Sequence, residues 1–435
     1  MRFLPSAVVT ALVCAVLVPS VQAQNAAAPD TLRLTLEEAI ERALEHDPAV
    51  VAASGAVRSA RSGQRVAAGA FLPSLSASTT TSRTSSERFN PQTGTSVTGS
   101  STSLNAGLSS SLALDLGGGQ IADRRSATAN RRSAEATLEE QRYSSSLAAE
   151  ITFYEVLRAD ELTRVGELRL ARAIEGRESS ERRLEAGVAT RSDVLRSRLE
   201  ESDARLQLAS ARADRRAAAH ALGRIVGVDG PVGAIPPERP VPRPLELAAP
   251  ALVELATQTP GVRAAEAQAA AAEATVRSAR SDYLPVLNLQ GGTDWFNDEV
   301  SFADANDSWT VRAGLSWPLF NGFRREDALT RAHVTAATAR AEAADARRFA
   351  RAEVERLLAA LALAEEALAL AQESVEVARE DLEVQEQRYR VGASTILDRV
   401  TSQLALAEAE AAVVEARFDY EVARAELEAL VGRSL

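Results

Sequence analysis

The chain has 435 residues, 60 of them acidic against 49 basic, for a net charge of −11. Every basic residue is Arg, and the acidic balance argues against nucleic acid as a partner. Only 4% of the residues are aromatic while Ala abounds, which favours long, closely packed helices over a globular core.

Arg2, an apolar run over 7–18 and Val21-Gln22-Ala23 read as a secretory leader, 1–23, cleaved so that the mature chain starts at Gln24. A retained anchor is the alternative, but the run is too short to span a bilayer. The only Cys, Cys14, lies in the leader after Val13, where a lipidated Cys would want a small residue. The mature chain then has neither a disulfide framework nor a thiolate metal site. No later stretch is apolar enough for a transmembrane helix, so a membrane could be entered only as a closed β-barrel.

Residues 24–47 form an N-terminal segment in which Leu32, Leu34 and Leu36 lead into a short amphipathic helix that ends near His46-Asp47-Pro48. A helix is predicted over 48–69. From Phe71 the period changes to two, and a strand is predicted over about 71–81. A Ser/Thr/Gly-rich loop is expected from Ser82 to Ser103, then a second strand over 104–116. In that strand Leu104, Ala106, Leu108, Leu112 and Leu114 face one way, and Asn105, Gly107, Ser109 and Ser111 the other. Gly117-Gly118-Gly119 closes it. It lacks the Gly-Lys-Ser/Thr ending of a phosphate loop and reads as a strand-end turn. With no Pro and little Gly over 119–187, one helix of nearly seventy residues follows, about 100 Å long at ~1.5 Å per residue.

A return helix over 190–226 leads into a Pro-rich linker within 228–259, marked by Pro231, Pro236, Pro237, Pro240, Pro242 and Pro244. The pattern then repeats: a helix over 260–282, strands over about 284–296 and 308–319, a long helix over 322–392 and a return helix over 395–431. Trp309, Leu315 and Trp317 take one face of the last strand, and Arg312 and Ser316 the wet face. A half-buried hairpin in a soluble sheet would alternate in the same way. Trp295, Trp309 and Trp317 near the strand ends instead fit the aromatic girdle of a membrane barrel. The second long helix carries two apolar seams: Leu361, Leu368, Val375 and Leu382, and, about 110° away by helix angle, Leu363, Leu370, Val377 and Val384. A two-stranded coil needs one seam; a helix between two neighbours in a wall needs two.

Gly392 follows Gly187, and Asp398 follows Asp193, by the same 205 positions, while Pro260 follows Pro48 by 212. The chain is therefore a duplicated half-domain, 48–227 and 260–435, with the longer loop in the first copy. Both long helices run into a Gly, Gly187 or Gly392, able to take the left-handed conformation that ends a helix. Thr190-x-x-Asp193 and Thr395-x-x-Asp398 follow as capping-box variants that start the return helices. The turns 187–190 and 392–395 are thus tight helical hairpins.

Two repeats supply four membrane strands. Single-chain barrels start at about eight, so the chain must oligomerise, and composition alone allows a dimer of eight strands or a trimer of twelve. His46, His220 and His333 are isolated, without metal-ligand spacing; no catalytic group, metal or cofactor is expected.

The ordered set of Leu34-Thr35-Leu36-Glu37-Glu38-Ala39-Ile40 with Asp47-Pro48, Phe71-Leu72-Pro73, Tyr283-Leu284-Pro285, Pro318-Leu319-Phe320-Asn321-Gly322 and the two Gly-x-x-Thr/Ser-x-x-Asp turns resembles the TolC-type outer-membrane efflux family over essentially the whole mature length. The resemblance implies a mostly α protein with a small transmembrane β part, a trimer sharing a twelve-stranded barrel continued by a periplasmic α-helical barrel. It implies an exit duct whose tip docks, with a periplasmic adaptor, onto an inner-membrane pump or secretion ATPase. A periplasmic coiled-coil adaptor is the alternative, although an adaptor has no need of lipid-facing Trp and Leu rows. By resemblance the turns line a periplasmic aperture: Gly187, Thr190, Arg191, Asp193, Gly392, Ser394, Thr395 and Asp398. Capping is the other role open to both Asp. Ser394 and Thr395 stand where some family members carry a gate Arg; Arg191 is open to two readings, a solvated side chain first and a substitute for that Arg second.

Overall fold

The computed structural model describes residues 32–435 apart from 93, 238–241, 243, 244, 246, 247 and 304. The expected leader with Cys14, the start at Gln24 and part of the Pro-rich linker, Pro240 and Pro244 included, lie outside the described residues.

The short strand β1 (Arg33–Leu34) leads into α1 (Leu36–His46), which begins with a full capping box: Thr35 accepts from the Glu38 N–H, and Glu38 accepts from the Thr35 N–H. The helix α2 (Pro48–Gly69) starts on Pro48, whose missing N–H costs nothing in a first turn, with Asp47 as its cap. Two antiparallel strands follow, β2 (Ser74–Asn90) and β3 (Thr95–Asp115), then α3 (Gly119–Glu185, 67 residues) and the return helix α4 (Arg191–Ile225, 35 residues). The strand β4 (Gly233–Ala234) pairs in parallel with β1. After α5 (Ala249–Leu255) and a 3-10 turn, the second half runs through α6 (Pro260–Ser281), β5 (Val286–Asn297), β6 (Asn306–Ser316), α7 (Arg324–Arg390, 67 residues) and α8 (Ile396–Val431, 36 residues). The two long helices have equal length, and so do α2 and α6 at 22 residues.

Of the stretch expected as a loop over 82–103, residues 82–90 and 95–103 are strand. The ladder from Ser74 paired with Ser111 to Asn90 paired with Thr95 is unbroken. Its upper part is mostly polar on both faces, with Phe89 an isolated apolar side chain, so it lacks the apolar row that marks a strand in sequence. It is held by main-chain bonds and by pairs such as the Ser82 and Ser103 hydroxyls, 2.8 Å apart. A second correction concerns the last strand, which stops at Ser316. Pro318 has no N–H to donate to a ladder, and the Trp317 indole donates instead to the Tyr283 carbonyl at 3.2 Å. The helix α7 starts two residues after Gly322, because Gly322 and Phe323 both hold positive φ, 70° and 62°.

The helices pack side by side. Both α6 and α8 touch both long helices, whereas α2 packs on α3 and α4 packs mainly on α3. Two buried clusters form the mid-height core. One gathers Leu34, Phe153, Tyr154, Leu157, Leu222, Val226, Val232 and Phe418; the other gathers Leu252, Val262, Val354, Leu357, Tyr420 and Leu427. The first draws on both halves of the chain and on β1 and β4; the second joins α5 to the helices of the second half. Among the described residues no helix is long and apolar enough to cross a membrane.

Candidate functional site

The four long strands form one sheet in the order β2-β3-β5-β6. Its register places the alternating residues of all four strands on two continuous faces. Leu112 pairs with Leu289, Leu114 with Leu287, and Leu287 in turn with Leu315; Ala106 pairs with Trp295, and Thr293 with Trp309. Leu112, Leu114, Trp295, Trp309 and Leu315 therefore share a face, together with Leu75, Leu108, Leu289 and Val311. Asn105, Ser109, Arg312 and Ser316 share the other, with Ser76, Asn288 and Gln290. The apolar face is uncovered: Trp309 is 76% exposed and Leu315 64%. Such a face is unstable in water and suited to lipid. Trp317 lies just beyond the strand and is exposed as well. Each outer strand, β2 and β6, has a single neighbour, so the sheet carries two free edges.

At the other end of the helices stand the paired turns. Gly187 and Gly392 have φ of 72° and 77°, the left-handed conformation for which glycine is favoured. Thr190 caps α4 by accepting from the Asp193 N–H at 3.2 Å, and Asp193 accepts from the Thr190 N–H at 2.7 Å. Thr395 and Asp398 repeat this at 3.2 and 2.8 Å, and the Thr395 hydroxyl adds a 2.8 Å bond to the same carboxylate. The Thr395 N–H, then its hydroxyl, hold the Asp398 carboxyl below its usual range. Asp193 is half-buried and Asp398 exposed, and both cap. Ser394 donates to the Gln385 carbonyl at 3.3 Å. Arg191 is exposed as the first residue of α4 and makes no ion pair among the described residues.

Just inside the turns lies a contact that no sequence pattern isolates. Tyr389, in the last turn of α7, packs between the guanidinium groups of Arg183 on α3 and Arg399 on α8. These residues belong to three helices, and only the interior glycine opposite Arg399, Gly176, hints at a close approach.

The model of the family described as outer membrane efflux protein matches residues 39–228 and 251–433. The chain belongs to this family. Its members are channel proteins, not enzymes, of the Gram-negative outer membrane, and the helices of this one form its periplasmic extension. The chain is 29% identical over 410 residues to the pyoverdine export outer membrane protein OpmQ of Pseudomonas aeruginosa, covering 91% of this chain and 83% of that protein. Among solved structures it is similar to CusC, with a TM-score of 0.77, 18% identity and 93% of each chain covered. It is also similar to VceC of Vibrio cholerae, with a TM-score of 0.75, 21% identity and coverage of 92% and 96%. The fold shared with these structures is the TolC-like one, mostly helical with a small strand part.

Proposed function

We propose that three copies of this chain form the gated exit duct of a tripartite efflux pump or a type I secretion system. The observation that carries the reading is the sheet with one bare apolar face and two free edges. Pairing β6 of each copy with β2 of the next removes every edge and closes a twelve-stranded barrel, as backbone in lipid requires. The apolar row then meets lipid, with Leu112, Leu114, Trp295, Trp309, Leu315 and Trp317 outward or in the girdle. Asn105, Ser109, Arg312 and Ser316 line the water-filled pore. The repeats 48–227 and 260–435 stand around one axis, joined by the linker 228–259, which with the N-terminal segment 24–47 makes an equatorial belt.

The exposed stripe of α7 supports the same assembly. Leu363, Leu370, Val377 and Val384 are bare in the single chain, and so are Leu195, Leu199 and Leu206 on α4. Matched between neighbouring copies, the two stripes continue the wall of helices into a tube. The turns around Asp193 and Asp398 form its narrow periplasmic end, where a periplasmic adaptor joins it to an inner-membrane pump or secretion ATPase. Two relatives are named for pyoverdine export; we assign the choice of cargo to the pump. A periplasmic adaptor without a barrel would leave the apolar face of the sheet without a purpose.

Single-channel conductance in planar bilayers tests the gate. Six Asp stand around one ring, and in this reading cations or the nearby Arg191 and Arg399 bridge them against their mutual repulsion, so that the carboxylates hold the aperture closed. Replacing Asp193 and Asp398 together with Ser is expected to change gating more than either replacement alone, and to raise conductance. Unchanged conductance with purely additive losses of stability would leave capping as their only role.

A further inference from the structure

Three buried polar atoms near the paired turns have no hydrogen-bond partner, and their residues line one cavity. They are Nε of Arg183, Nε of Arg399 and the hydroxyl of Tyr389. The cavity, of about 300 Å³, opens between α3, α7 and α8, and Gly176, Ser179 and Gln403 complete that part of its wall. Tyr389 is 6% exposed and Arg399 7%. The guanidinium carbons of Arg183 and Arg399 lie 4.5 and 5.3 Å from the centre of the Tyr389 ring.

This is an unbalanced site. A buried guanidinium is costly unless a carboxylate or another acceptor meets it, and neither Arg183 nor Arg399 makes an ion pair among the described residues. The ring face offsets part of that cost, and Nη1 of Arg183 donates to the Arg390 carbonyl at 3.4 Å, but both Nε groups stay without an acceptor. The acids nearby are placed otherwise. Glu410 takes Arg172 in a two-bond pair at 2.8 and 2.9 Å, and Glu175 and Glu386 stand exposed at the rim.

Helix stability does not account for Arg399 either. Near the start of α8 it stands toward the positive end of a helix, where a cation is disfavoured, whereas Arg183 occupies the favourable last turn of α3. Opposite Arg399, α3 carries Gly176, a weak residue in a helix interior. A Cβ at that position would collide with Nη2 of Arg399. Thus α3 gives up helix propensity to admit a guanidinium that then finds no counter-ion.

We propose that this cavity binds an oxyanion, a phosphate or a carboxylate, held by Arg183, Arg399 and the Tyr389 hydroxyl. The forked donors of Arg match the paired oxygens of either group. Bound there, the anion neutralises the two cations and ties the ends of α3 and α7 to the start of α8, so that it links one helical turn to the other. Its effect on the opening of the tip rests on the duct reading above; the binding does not.

The test titrates the purified protein with sodium phosphate at constant ionic strength, set with chloride, by calorimetry and by melting temperature. Saturable binding with Kd of about 1 mM or tighter is expected, with a melting temperature that rises by mass action. Arg399→Gln and Tyr389→Phe should each weaken it at least about tenfold, which is ~1.4 kcal/mol. Tyr389→Phe keeps the ring and its packing, so it decides the matter if Arg399→Gln fails to assemble. Acetate that displaces phosphate would assign the site to oxyanions in general, an acidic side chain of a docked partner included; acetate that does not would assign it to phosphate. No saturable binding by the unaltered protein, or equal affinity in both variants, would overturn the proposal. Phosphate that binds but leaves conductance unchanged would contradict only the link to the gate.

Discussion

Leu368 and Leu370 stand two residues apart on α7, and the first is 2% exposed while the second is 56% exposed. The same step separates Leu382 from Val384 and Val375 from Val377: one seam is buried within the chain, the other bare. Leu368→Ala should therefore destabilise the single chain by about 2–5 kcal/mol, as for other buried Leu truncations. Leu370→Glu should leave the chain folded and weaken assembly. Circular dichroism with size-exclusion chromatography separates the two effects.

The sheet predicts an equally sharp contrast between neighbours. Leu315→Arg sets a charge on the apolar face and should cost roughly 2–4 kcal/mol if it lies near the bilayer midplane. Ser316→Arg, on the opposite face, should be tolerated and should alter conductance. Folding into lipid vesicles in urea measures the first, and planar bilayers the second. Equal tolerance would show that the strand does not meet lipid.

Capping sets the strength of the paired turns. Thr190→Ala and Thr395→Ala each remove a side-chain acceptor from the first turn of a return helix and should cost ~0.5–2 kcal/mol. Thr→Ser, which keeps the acceptor, should restore most of it. Hydrogen exchange at Asp193 and Asp398, whose N–H groups donate to these hydroxyls, should speed up in the Ala variants.

Acid should loosen the second turn. The folded Asp398 carboxyl titrates below its unfolded value, because the Thr395 N–H and hydroxyl bond to the charged form. Its contribution to stability is thus present above the unfolded value of about 3.9 and lost as pH falls through the folded one. Hydrogen exchange of the first turn of α8 should quicken below about pH 4. Asp398→Asn should abolish that pH dependence at this turn; an identical pH profile in the variant would contradict the assignment.

The helical frame was legible in the residues because its signals are local. Pro48 and Pro260 begin helices, the two Thr-x-x-Asp boxes restart the chain after Gly187 and Gly392, and no Pro interrupts the long helices. The extended β2-β3 hairpin was not legible, since period two is visible only where two faces differ, and from Ser82 to Ser103 both faces are mostly polar. The end of β6 was missed for a backbone reason, because Pro318 ends the ladder although the alternation of side chains runs on to Leu319. The cluster of Arg183, Tyr389 and Arg399 was hidden for a third reason. It depends on how three helices meet, and each residue alone reads as a solvated or packing side chain.

The two free edges of the sheet make subunit number the most direct test of the account. Native mass spectrometry of the detergent-purified mature protein should show three copies per particle, the number that turns four strands into twelve. A monomer or a dimer as the stable membrane species would contradict a barrel closed by pairing β6 of one copy with β2 of the next around a threefold axis.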